Sequence, residues 1–75
     1  METTERSPEW QAIVRSLIVR RFVLGYSQRE AAERAGLYQS QISDIELLVR
    51  FPTCETFVSL VKAYGMRVAL EEAPA

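Results

Sequence analysis

The sequence predicts an all-α domain of four to five short helices followed by a short C-terminal β-strand, and three observations carry that prediction. Gly25, Gly36 and Gly65 each follow a segment with inward-facing apolar residues at helical spacing, where a helix stops on a left-handed residue. Hydroxyl side chains stand where helices start, at Ser7, Ser27 and Thr53. After Gly65 the period shortens to two, with Met66, Val68 and Leu70 alternating with Arg67, Ala69 and Glu71, which is a strand pattern.

Taken in order, residues 1–6 are expected to be a disordered tail. Ser7-Pro8-Glu9 then starts a helix: a hydroxyl cap, a proline at the first helical position, and an acid against the positive helix end. This helix should run from Pro8 to Leu24, with Trp10, Ile13, Val14, Leu17 and Arg21 on its inner face and Ile18, Phe22 and Val23 widening it. A second helix over 28–35 turns Ala31, Ala32 and Ala35 inward, small residues that let helices approach closely. A third spans 39–47, with Ile42 and Ile45 toward the core. Thr53 caps a fourth, which buries Phe57, Leu60, Val61 and Tyr64 and ends at Gly65. The expected division is a helical domain over 7–65, a strand over 66–72 and a tail over 73–75.

The organising stretch is Ser27 to Glu46. Ser27 followed by Glu30 forms a capping box, and Gly36 supplies the positive φ that a sharp bend between helices requires. Helix, glycine-containing turn, helix is the pattern of helix-turn-helix DNA binding. Gln28, Ala32, Gly36, Ile42, Ser43 and Glu46 make up Q-x3-A-x3-G-x5-I-S-x2-E, which resembles the Cro/repressor-type (XRE) helix-turn-helix family over roughly residues 17–65. The resemblance implies a lambda-repressor-like fold that binds double-stranded DNA with its third helix in the major groove.

Bulk properties bound the alternatives. A 75-residue chain forms one domain and buries only about 60% of its unfolded surface, so a second copy is the expected support. One cysteine and no histidine leave no internal disulfide and no His/Cys metal cluster. Cys54 has no imidazole to activate it, and the carboxylates read as caps or surface groups, so neither enzyme activity, metal nor cofactor is expected. With no apolar run of membrane-spanning length and a polar N-terminus, the expectation is a cytoplasmic protein without a membrane partner. The net charge of −1 is unusual for a DNA binder. Between Arg6 and Leu70, however, nine basic residues face six acidic ones, a balance of +3 that fits few phosphate contacts per subunit.

Gln39, Ser40, Ser43 and Asp44, at the start of the third helix, are the candidate base-reading residues. Gln39 can bond adenine in a bidentate way, the serines can donate or accept, and Asp44 can accept from cytosine N4. Ser27, Gln28, Arg29, Tyr38, Gln41 and Arg50 are candidates for phosphate, where contacts position the protein without specifying sequence. In similar proteins a glutamine at the position of Gln28 also braces the recognition helix. An arginine late in the first helix pairs there with the glutamate ending the third, which assigns Arg21 and Glu46 a structural salt bridge.

The sequence departs from the family at Leu47-Leu48-Val49, where Arg or Asn, Gly, then Lys or Arg is usual. Without that glycine the third helix is expected to run on or end irregularly. The apolar residues there suggest a covered surface, so Leu48, Val49 and Phe51, with Met66, Val68 and Leu70 of the strand, are the candidate homodimer interface. Two functions follow from the resemblance. One is a homodimeric repressor on a two-fold symmetric operator; the other is an antitoxin of HipB or HigA type that also neutralises a toxin protein.

Overall fold

Hydroxyl caps open three of the four helices in the computed structural model, which describes residues 7–74; the tail expected over residues 1–6, and Ala75, lie outside them. Ser7 Oγ accepts from the Trp10 N–H at 3.0 Å ahead of α1 (Pro8–Leu24), and Ser27 Oγ accepts from the Glu30 N–H at 3.0 Å ahead of α2 (Gln28–Ala35). Thr53 Oγ1 does the same for Thr56 at 3.1 Å ahead of α4 (Cys54–Ala63). Each bond satisfies one of the N–H groups that a helix start leaves without an internal partner. The exception is α3 (Gln39–Glu46), where Tyr38 occupies the cap position and its phenol caps nothing. Instead Gln41 Oε1 reaches back to accept from the Tyr38 N–H at 2.8 Å. At α2 the Ser27–Glu30 box is half made, because the Glu30 carboxylate turns forward to Arg34, one helical turn on, at 3.1 Å.

All four helices close with the same pair of backbone bonds. Tyr26 donates to Arg21 and Gly25 to Phe22; Leu37 to Ala32 and Gly36 to Glu33; Met66 to Val61 and Gly65 to Lys62. The end of α3 repeats the geometry, Val49 donating to Asp44 at 2.9 Å and Leu48 to Ile45 at 3.1 Å. This is the Schellman arrangement, which requires one residue in the left-handed region. Glycine fills that place at three helices; at α3 it is Leu48, with φ of 62°. The loss of glycine therefore does not let α3 run on. The chain keeps the sharp stop and holds a leucine in a conformation its Cβ resists.

The core gathers Val14 and Leu17 of α1, Ala31 and Ala32 of α2, Ile42 and Ile45 of α3, and Leu60, Val61 and Tyr64 from α4 and its end. Helix α2 packs on both α3 and α4, and Ala31, fully buried, is what allows that double approach. Arg20 Nε donates to the Tyr64 carbonyl at 3.0 Å and ties α1 to the end of α4. Trp10 packs on Phe51 and Phe57 at 5.8 Å between ring centroids, pinning the segment between α3 and α4 against the start of α1.

Two expectations are corrected. Four helices form, and no strand forms among the described residues: the alternating segment after Gly65 has no neighbour in this chain to pair with. The inner face of α1 is narrower than its apolar content suggests, since Ile13, Phe22 and Val23 are exposed. Leu48 and Met66 pack in part against this chain's own core, whereas Val49, Phe51, Val68 and Leu70 remain exposed.

Candidate nucleic-acid interface

Helix α3 has two faces at right angles to its length. Ile42 and Ile45 are 0% and 1% exposed and lock one side into the core. Steps of three and four place Ser40, Ser43, Asp44 and Leu47 on the other side, with Gln39 at its edge. Gln39 and Ser40 are exposed; Ser43 and Asp44 are half-buried. The sequence grouped Leu47 with Leu48 and Val49 as covered surface. In the fold Leu47 continues the polar face instead, exposed one turn beyond Ser43, and the spacing 40, 43, 47 was the available signal.

Beyond that packing, a single carboxylate ties α3 to both α1 and α2. Glu46 Oε2 accepts from Arg21 Nε at 2.7 Å, and Glu46 Oε1 accepts from both Arg21 Nη2 and Gln28 Nε2 at 3.0 Å. Arg21 Nη1 donates in addition to the Tyr26 carbonyl at 2.9 Å. The side chains of Arg21 and Glu46 are 9% and 10% exposed, so α1, α2 and α3 meet at a buried, bidentate ion pair whose donors are largely satisfied. The hydrogen bond to Glu46 raises the Arg21 pKa, against the opposing effect of burial. Beside this pair lies Tyr64, 1% exposed, its hydroxyl without a protein partner. Burial pushes its pKa up to about 12, the Glu46 charge adds to the rise, and Arg21 opposes it.

The remaining candidates fall around the starts of α2 and α3. Ser27 is spent on its cap and Gln41 on the Tyr38 N–H, while Gln28 faces inward to Glu46. Arg29 is exposed with no ion pair among the described residues, and Tyr38 is 76% exposed. Arg50 Nη2 lies 3.3 Å from Asp44 Oδ2, so the one acid on the outer face of α3 is partly neutralised by the chain itself. Cys54 is exposed at the start of α4. Among the described residues no cluster of three or more His, Cys, Asp or Glu side chains could hold a metal ion, and no helix is long and apolar enough to cross a membrane.

The fold and this face define a helix-turn-helix regulator of the lambda-repressor-like type. A family model described as Helix-turn-helix, of the XRE kind, matches residues 23–70, and the chain belongs to that family. It is a DNA-binding regulatory family rather than a family of enzymes. No curated protein and no solved structure matches the chain.

Proposed function

We propose that the chain is a repressor that acts as a homodimer on a two-fold symmetric operator, laying α3 in the major groove. In this reading Gln39, Ser40, Ser43 and Asp44 meet base edges, and Ser27, Gln28, Arg29, Tyr38, Gln41 and Arg50 meet phosphate or sugar. The observation that supports it most is the Glu46 network, which fixes the pitch of α3 while its opposite side carries small polar groups. A base-reading helix needs that rigidity, because bidentate hydrogen bonds tolerate little displacement. Repression then needs only occupancy of a site that polymerase would use. Gln28 has already given one of its two Nε2 N–H groups to Glu46 and Gln41 is held through its Oε1, so each keeps only amide N–H for a phosphate oxygen, which makes Arg29 and Arg50 the stronger phosphate ligands.

Selection of bound duplexes from a randomised pool tests the reading. Selected sites related by a two-fold axis support it; retention of all sequences alike overturns it. The antitoxin reading is favoured by one feature, the outer face of α1, where Val19, Phe22 and Val23 are all more than half exposed and no DNA contact uses them. A toxic neighbouring gene product that forms a stoichiometric complex with the chain, lost on Phe22→Glu, supports it. A complex that survives the substitution counts against that face.

A further inference from the structure

Helix α1 has an inner stripe that the fold buries, through Val14, Leu17 and Arg21, and an outer one that it leaves open. On the outer side Ala12, Ser16, Val19 and Val23 recur at steps of four, three and four, all exposed, which is the spacing of a coiled-coil seam. Ser16 Oγ donates to the Ala12 carbonyl at 3.0 Å, so the hydroxyl on this seam is satisfied within the helix. The seam borders an open groove of about 460 Å³ lined by Arg15, Ser16, Val19, Arg20, Val23 and Met66. The heptad positions that flank it are Ile13 and Arg20 on one side, Arg15 and Phe22 on the other. After Glu9 in the first turn α1 carries no acid, and none lines the groove. Arg15 is exposed and makes no ion pair among the described residues.

An occupant of this face has to cover the valines and bring charge to the arginines. A second copy of α1 does the first and fails the second. Packed parallel along the seam, Arg15 of each copy faces Arg20 of the other; packed antiparallel, the arginines face Ile13 and Phe22. Covering a cation with no acid opposite is unfavourable, and like charges set against each other select against that pairing. We infer that the outer face of α1 docks one amphipathic helix of another protein, with apolar residues on its own seam and Asp or Glu at the flanking positions that meet Arg15 and Arg20. Ala12 to Val23 spans about 16 Å of helix axis, so about three turns of the partner cover it. The inference rests on this face meeting a protein partner, as in the antitoxin reading, and adds the chemistry of that partner. It is measured without DNA and without a toxin, so it stands or falls apart from the base-reading face.

Two synthetic peptides of about three heptads test it, both with Leu on the seam, one with Glu and the other with Lys at every flanking position. In fluorescence anisotropy against the full chain at low salt, the Glu peptide should bind saturably and about tenfold more tightly than the Lys peptide. The neutral double variant V19N/V23N should weaken the Glu peptide by about tenfold, and R15E should bring the two peptides to within about threefold of each other. These positions are exposed on α1, so unchanged helical circular dichroism checks that folding is intact. Equal binding of the two peptides, or an advantage unchanged in R15E, overturns the charge assignment. Binding that survives V19N/V23N overturns the location, and a Glu peptide that does not bind overturns the docking. Self-association of the native chain that V19N/V23N breaks gives the face to a second copy and overturns the acidic partner. A toxin complex lost on Phe22→Glu, with no binding of the Glu peptide, keeps the antitoxin reading and overturns this inference alone.

Discussion

Leucine at position 48 offers a direct test of how α3 is stopped. Its φ of 62° puts a Cβ where the left-handed conformation costs about 1–2 kcal/mol, and its side chain packs in part against the core. Leu48→Ala and Leu48→Gly surrender the same packing, so the difference between them isolates the backbone. At an ordinary position alanine is more stable than glycine by about 0.4–1 kcal/mol through its smaller unfolded-state entropy. Here the order should invert, glycine exceeding alanine by about 1 kcal/mol, because only alanine keeps the Cβ that the left-handed turn opposes. For a domain of this size that is a gap of about 4–8 °C in Tm, well within reach of thermal melts followed by circular dichroism. Gly36→Ala calibrates the scale: an added Cβ meets nothing within 4 Å, so its cost, about 1 kcal/mol, is conformational alone. Should alanine equal or exceed glycine at position 48, the claim that α3 ends on a strained leucine is wrong.

Four further outcomes follow. Glu46→Ala strands a buried guanidinium and should cost about 3–5 kcal/mol in urea unfolding, while R21M/E46L, which removes both charges, should recover most of it. Tyr64 is protonated when stable and its pKa is raised by folding, so its contribution is intact below pH about 10 and is lost as pH climbs toward about 12. A pH titration of stability should show that fall, and Tyr64→Phe should abolish it at little cost near neutrality, since the hydroxyl has no protein partner to lose. Gln39→Ala should relax preference at one or two base pairs by about 1–3 kcal/mol in competition binding, whereas a uniform loss over all sequences would make Gln39 a backbone contact. Arg29→Gln should weaken binding evenly and reduce the slope of log affinity against log salt by about 1.

Much of this architecture was legible because it is written locally. Ser7, Ser27 and Thr53 cap, and Gly25, Gly36 and Gly65 stop, within four residues of where they act, and the Arg21–Glu46 pair followed from a resemblance that fixes both partners. What escaped depended on competition between near-equal local choices or on distant neighbours. Glu30 could reach back to its cap or forward to Arg34, and sequence alone does not rank the two. Leu48 obeys the demand of the turn over its own preference, because the Schellman bonds and the packing on either side outweigh the strain of one residue. The outer apolar residues of α1 share the spacing of a core stripe, and only the placement of α2 to α4 decides which side of that stripe is covered. Of the interface, the outward positions of α3 could be read from Ile42 and Ile45 facing inward. The inward turn of Gln28 and the Arg50–Asp44 pair needed the folded chain.

The aromatic clasp at the start of α1 gives the molecule a built-in reporter. Trp10 is the sole tryptophan, its indole N–H is buried without a protein partner, and its ring rests on Phe51, next to Arg50 in the segment leaving α3. Emission from this one fluorophore therefore registers the state of that segment with no label attached. Ordering of the segment against a phosphate chain would change the intrinsic signal even where the helices themselves stay still.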